Sequence, residues 1–344
     1  MAHKTIKAIF PSFKNDSPVE VARKCILIIS FFVVVICSYI IITTEEPEPP
    51  PPPPPPELYE MHGLITLSPA VPEPPVDKEP VILEEYAELF EQNNDMIGWI
   101  NIPNTTVDYP VLQTTDNRFY LHNTFEKKYH YNVGSIFADF HVPFTPTFRP
   151  NNALIYGHNV GAGIKFNAVA LYYPYHFLYS REGSLEAYLA NPLVYFDTLY
   201  EKGVYKVFAV IFINTKRAQG DVYYYHRMRQ FPAKDDFLDF AVNIMDRSAF
   251  YTDVDLRYGD EIITLSTCHY PLGQAADTRV ALFARRLREG ESTDVNTDVA
   301  WINPSPLYFD YYYRVRGGSW AGRNWDISKV EGAEEYIARM EAQV

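Results

Sequence analysis

Apolar and polar positions divide the chain into three stretches of different character. From Cys25 to Ile42 the sequence CILIISFFVVVICSYIII contains no charged side chain. Eighteen such residues are enough for a helix to cross a bilayer, so the pattern predicts a transmembrane anchor over 25–42. Residues 43–80 reverse the character. Proline is unbroken from Pro49 to Pro56, and Pro69, Pro72, Pro74, Pro75 and Pro80 follow. Such a run adopts an extended polyproline helix rising about 3.1 Å per residue, which makes 43–80 a stiff spacer. From Val81 onward, short apolar runs alternate with turn-forming clusters, as in a folded domain.

Within that domain, Ile82, Tyr86, Leu89 and Phe90 recur at helical spacing with Glu84, Glu85 and Glu88 between them. This predicts a short amphipathic helix ending near Asn93-Asn94. Strand-like runs follow at Gly98–Ile102, Val107–Leu112, Gly134–Phe140, Ala153–Tyr156, Val204–Ile213, Asp260–Thr267 and Arg279–Arg286, separated by Asn, Pro, Gly and Asp clusters. One helix is expected to interrupt them, over 235–247, where Phe237, Phe240, Ala241, Ile244 and Met245 form an apolar stripe. Many short strands with few helices predict a mainly β fold that closes into a barrel rather than a doubly wound sheet. Beyond Glu289, Trp301, Trp320, Trp325 and the YFDYYYRVR stretch at 308–316 are expected to pack against the barrel, and VEGAEEYIARMEAQ reads as a closing helix.

Charge orients the chain. Lys4, Lys7, Lys14, Arg23 and Lys24 precede the apolar run, and Glu45 and Glu46 follow it. Basic residues stay on the cytoplasmic side, so residues 1–24 are expected in the cytoplasm and the folded body outside the cell membrane. A cleaved signal peptide would have a shorter apolar core ending at a small-residue site, whereas this run continues into Thr43-Thr44-Glu45-Glu46. The net charge of -13 and the lack of a basic stripe exclude a nucleic-acid-binding role.

Cys25 and Cys37 fall within the apolar run, which leaves Cys268 as the lone thiol of the exported body. A leftover cysteine outside the cell points to intermolecular pairing or to a reactive thiol. EIITLSTC reads as a strand on which Ile262, Thr264, Ser266 and Cys268 share one face. If the next run, TRVALFARRL, pairs antiparallel with it, Arg279 becomes the neighbour of Cys268, where a guanidinium can hold an oxyanion. A thiol nucleophile also needs a proton carrier. His3 and His62 lie outside the domain, and His122, His130, His141, His176 and His226 sit in Tyr- and Phe-rich contexts that suit surface or core histidines. His269 adjoins Cys268 but points to the opposite face of the strand. His158 ends the short apolar strand of ALIYGHN, which places an imidazole at a sheet rim. One cysteine and scattered histidines show no metal-ligand spacing, and no cofactor motif is present.

Together these residues resemble the sortases, membrane-anchored cysteine transpeptidases of Gram-positive bacteria. The resemblance rests on TLSTC at 264–268, YGHN at 156–159 and Arg279 opening the next strand. The segment NDMIGWINIPNTTVDYPVLQTTDNRFYLHNTF at 94–125, GSIFADF at 134–140 and the helix at 235–247 resemble class B. The resemblance covers residues 81–288 and implies a sortase-type closed β-barrel with added helices. It also implies a catalytic trio of His158, Cys268 and Arg279, with Ser266 and Thr267 lining the substrate site. The implied partners are exported proteins with a C-terminal sorting motif and an amine of peptidoglycan or a pilin. Three features depart from the family: His269 stands where an acidic or small polar residue is expected, FARR at 283–286 is more basic than usual, and residues 289–344 extend past the core. A secreted cysteine protease and an inactive wall-binding module remain as alternatives.

Overall fold

A computed structural model describes residues 17–26, 28, 30, 80–161, 163–173, 182–273 and 276–343, and the chain divides into two units at Pro75 and Val76. In the first unit the described residues are helical from residue 18, with Arg23 paired to Glu20 at 2.7 Å. Among the described residues no helix is long and apolar enough to cross a membrane. Most of the expected anchor over 25–42, and the proline-rich spacer up to residue 79, lie outside the described residues.

The second unit is built on an eight-stranded closed barrel. Helix α1 (Glu84–Gln92) precedes β1 (Met96–Asn101) and β2 (Asp108–Leu112), and a single helical turn, α2 (Phe119–His122), leads to β3 (Ile136–Ala138) and β4 (Asn152–Tyr156). Helices α3 (Asn167–Leu171) and α4 (Glu182–Ala190) come before β5 (Leu193–Thr198) and the long β6 (Val204–Asn214). Helix α5 (Lys234–Arg247) then connects through β7 (Phe250–Tyr251) to β8 (Ile262–Cys268) and β9 (Thr278–Arg286). The order around the barrel is β1-β2-β3-β4-β8-β9-β6-β5, closed by β1 on β5. Pairing is antiparallel except for β2 with β3 and β4 with β8.

Strand β6 shows why the barrel needs two cores. Its sequence VYKVFAVIFIN is buried on both faces, so hydropathy alternation is lost and only the side-chain period remains. Val207, Val210 and Phe212 point into the barrel, while Phe208, Ala209, Ile211 and Ile213 join an outer core against Phe237, Phe240, Ala241 and Ile244 of α5. An irregularity between Val207 and Ala209 in the pairing with β9 shifts the alternation by one residue. Strand β9 divides the same way, with Val280, Leu282 and Ala284 inside and Ala281 and Phe283 outside.

Several elements differ from the sequence expectation, among them β5 and helices α3 and α4. β5, which closes the barrel, was not expected as a strand. Val194, Phe196 and Thr198 are buried while Leu193, Tyr195 and Asp197 are half-buried, so apolar side chains occupy both faces. Helices α3 and α4 interrupt the strands as well as α5. On α4, Ser184 is buried and Leu189 exposed, which hides its periodicity. Residues 289–343 belong to the same compact unit as the barrel: β10 (Trp301–Ile302) pairs with β7, helix α6 (Asp310–Arg316) follows, and α7 (Ala333–Glu341) closes the chain.

The carboxylate of Asp246, near the end of α5, ties that extension down. It accepts from Arg323 Nε and Nη2 at 2.8 and 2.9 Å and from the Trp325 indole N–H at 2.7 Å. Replacing Asp246 with Ala leaves a buried indole N–H and a guanidinium without their acceptor. The expected loss is roughly 3 kcal/mol of unfolding free energy, read by urea denaturation. A loss below about 1 kcal/mol would show that this carboxylate does not anchor the extension.

Candidate active site

The strand registers bring three side chains to one end of the barrel. In the parallel pair of β4 and β8, Tyr156 lies beside Ser266. Two residues further along each strand come His158 and Cys268, so both leave the sheet at the same rim. In the antiparallel pair of β8 and β9, Cys268 lies directly opposite Arg279. Adjacent strands β4, β8 and β9 therefore present His158, Cys268 and Arg279 side by side. All three line one cleft of about 370 Å³, with Ser266, Thr267 and the Tyr223–His226 segment on its walls.

Hydrogen bonds lock the two strand exits together. Gly157 N–H donates to the Ser266 carbonyl at 3.2 Å, and Thr267 Oγ1 donates to the Gly157 carbonyl at 2.7 Å. Asn159 Nδ2 donates to the Cys268 carbonyl at 3.0 Å and is itself oriented by Asn167, whose Nδ2 donates to Asn159 Oδ1 at 2.7 Å. Glycine is required at 157 because a Cβ there would meet Ile136 Cδ1 at 2.4 Å and the Phe166 ring at 2.7 Å.

His158 is half-buried, and its Nε2 lies 2.7 Å from the Leu121 carbonyl at the end of α2. A carbonyl only accepts, so Nε2 carries hydrogen and the neutral ring keeps its lone pair on Nδ1. Burial pulls the His158 pKa below 6.5. The Leu121 carbonyl opposes that shift, while the nearby His122 and Lys165 add to it. The imidazole is thus mostly neutral at pH 7.

Arg279 is mostly buried, which alone would lower its pKa. The Cys268 sulfur and the Asp277 carboxylate outweigh burial and hold it firmly charged. Its Nη1 donates to Asp277 Oδ1 at 2.9 Å and to the Thr278 carbonyl at 3.0 Å. Asp277 reaches back because its backbone is left-handed, with φ 42°.

Ser266 and Thr267 border the cleft, but both hydroxyls are engaged within the protein. Ser266 Oγ shares a 2.6 Å hydrogen bond with the buried Tyr225 hydroxyl, and Thr267 holds Gly157. Sequence reasoning missed several contributors. Tyr225 and His226 line the cleft, Tyr270 lies near the Cys268 side chain, and the His122 ring lies 6.2 Å from His158. Burial, then the Cys268 contact, push the Tyr270 phenol up to about 12, so it keeps its proton. Leu121, whose carbonyl orients His158, lies inside the 94–125 segment, but a backbone acceptor leaves no signal in residue type. Among the described residues no cluster of three His, Cys, Asp or Glu side chains could hold a metal ion.

His269 occupies the opposite face of β8, as alternation predicts, and is 2% exposed. It sits edge-on to Tyr173 at 6.3 Å and to Phe212 at 6.5 Å. Burial pulls its pKa down to about 4, partly offset by the nearby Tyr173 backbone.

No protein-family model matches the chain. Over 187 residues it is 33% identical to the sortase B of Listeria monocytogenes, covering 54% of this chain and 68% of that protein. Over 184 residues it is 31% identical to the sortase B of Staphylococcus aureus, covering 54% and 67%. The solved structure of a Staphylococcus aureus sortase B–substrate complex aligns with a TM-score of 0.50 at 28% identity, covering 61% of this chain and 88% of that one.

The buried His269 makes stability depend on pH. Its folded-state pKa lies below its unfolded value, so the unfolded chain binds the proton first as pH falls. The stabilisation is complete above pH 6.5 and is lost progressively toward pH 4. Between pH 6.5 and 5 this amounts to about 2 kcal/mol. Urea denaturation at several pH values should show this slope, and His269→Gln should flatten it by that amount. An unchanged slope in the variant would show that His269 takes up its proton as readily in the fold as in the unfolded chain.

Proposed function

The chain belongs to the class B sortases, which are cysteine transpeptidases, and we propose that Cys268, His158 and Arg279 carry its reaction. The observation that carries this reading is the convergence of the three side chains from adjacent strands on a single cleft. A Staphylococcus aureus sortase B has been solved with a substrate, which supports a peptide sorting motif as the ligand here.

The neutral His158 suits a sequence in which it acts first as a base. Cys268 sulfur attacks a backbone carbonyl carbon of the sorting motif, and the thiol proton passes to the imidazole lone pair. The carbonyl oxygen becomes an oxyanion held by the Arg279 guanidinium, which needs no reorganisation because Asp277 already fixes it. As the carbon–nitrogen bond breaks, His158 returns the proton to the departing amine. The acyl group remains on Cys268 as a thioester. An incoming amine of peptidoglycan or a pilin then attacks the same carbon, gives its proton to His158 and releases the thiol. The thioester keeps the acyl group activated without ATP, which suits chemistry outside the cell. Residues 25–42 would anchor the enzyme as a single span with residues 1–24 in the cytoplasm, and the spacer 43–80 would hold the barrel clear of the lipid.

Incubating the purified chain with a library of sorting-signal pentapeptides should give an acyl adduct on Cys268 by mass spectrometry, and Cys268→Ala should give none. Added triglycine should divert the product from acid to amide. Product that stays hydrolysed at every triglycine concentration would point to a protease. Replacing Arg279 with Gln should lower kcat by about a hundredfold to a thousandfold with a smaller change in KM. An equal loss in KM alone would assign Arg279 to ground-state binding.

A further inference from the structure

The C-terminal extension reaches the active site from two directions. Inside the barrel mouth, Phe309 packs on Phe212 at 5.5 Å between ring centres, and the Tyr173 hydroxyl donates to the Tyr308 hydroxyl at 2.9 Å. Phe212 and Tyr173 are the rings that enclose His269, the residue next to Cys268. The extension therefore lies one side chain away from the strand exit that bears the nucleophile. The second contact is to the cleft wall. A Cβ on Gly220, whose φ is 116°, would meet Asp310 N at 2.7 Å. Gly220 lies in the loop that leaves β6. Its carbonyl accepts from Asn214 Nδ2 at 3.1 Å, and a few residues on the same loop carries Tyr225, bonded to Ser266. Hydrogen bonds fix the extension itself on the other side. Asn303 N–H and Nδ2 donate to the Ala249 and Ser248 carbonyls at 3.0 and 2.7 Å, and Leu307 N–H donates to the Asp246 carbonyl at 2.8 Å.

We propose that residues 303–313 are a positioning element for transpeptidation, holding the Cys268 strand exit and the 220–226 cleft wall in register with each other. The proposal rests on Cys268 being the nucleophile. Phe309 and Tyr308 set the floor through Phe212, Tyr173 and His269, and Asp310 sets the wall through Gly220. Both are anchored to the same short segment, so neither can shift without the other. A ring-to-ring contact and a backbone approach with no room for a methyl group transmit displacement with little slack.

The test uses the full chain with three substitutions. Phe309→Leu keeps an apolar side chain but removes the ring on Phe212, and Gly220→Ala forces the wall away from Asp310. Val330→Ala, in the outer core beside Leu256, is the structural control. Two readouts are compared with the melting temperature: kcat and KM on whichever sorting peptide the wild-type chain acylates, and the rate at which iodoacetamide alkylates Cys268 at pH 7. For Phe309→Leu we expect alkylation about threefold to tenfold slower and kcat about tenfold lower, as Cys268 moves relative to Arg279. For Gly220→Ala the loss of about tenfold should fall mainly on KM. Val330→Ala should lower the melting temperature and leave both readouts unchanged. Wild-type kcat, KM and alkylation in both Phe309→Leu and Gly220→Ala would overturn the proposal. Failure of the nucleophile assignment is separate: it would appear as a Cys268→Ala chain that still cleaves the peptide, and the alkylation comparison would stand regardless.

Discussion

The candidate active site depends on the parallel pairing of β4 with β8. Parallel neighbours run in the same direction, so whatever follows each strand emerges at the same rim. Here the register sets Tyr156 beside Ser266, and His158 and Cys268 follow at equal distance. An antiparallel pairing at this point would send the histidine to the far end of the barrel. A slip of one residue would turn Cys268 to the inner face and His269 to the cleft. Ladder bonds alone do not protect the last residue of a strand from fraying. The Thr267–Gly157 and Asn159–Cys268 hydrogen bonds extend the pairing past the ladder to the two side chains that matter.

The same end of the barrel sets the proton inventory. Arg279 is kept charged by the Cys268 sulfur and the Asp277 carboxylate against the pull of burial, and burial keeps His158 neutral with its hydrogen on Nε2. The two groups therefore divide the labour without competing for a proton. In the proposed reaction the fixed cation would meet the oxyanion, while the neutral imidazole would offer Nδ1 to the proton that Cys268 sheds. Tyr270, holding its phenol proton beside Cys268, adds a neutral donor rather than a charge.

Much of this was legible in the sequence because the informative signals were local. TLSTC, YGHN and Arg279 each sit at a strand terminus marked by turn residues, and the helix at 235–247 carries a clean apolar stripe that the structure places over Lys234–Arg247. What was not legible depends on contacts distant in sequence. β5 closes the barrel against β1, about a hundred residues away, and its half-buried apolar face gives no alternation to read. Tyr225 looked like one more tyrosine in YYYHRM, and only the fold brings its hydroxyl to Ser266. The carbonyl that fixes the His158 tautomer is a backbone atom, which no residue type announces.

Two features that the sequence set apart from the expected pattern, His269 and the long C-terminal extension, have a common physical origin. The side chain after the cysteine points into the barrel mouth, where Phe212 and Tyr173 surround it and the extension covers them with Tyr308 and Phe309. A carboxylate in that position would be buried against aromatic rings with no cation beside it, at a cost of several kcal/mol. An imidazole whose pKa has fallen to about 4 is neutral there. Once the extension roofs the mouth, an acidic residue at 269 becomes expensive and a neutral aromatic heterocycle becomes suitable. Conversely, His269 offers the extension a flat partner through which it can bear on the nucleophile. The two features form one packing arrangement at the barrel mouth.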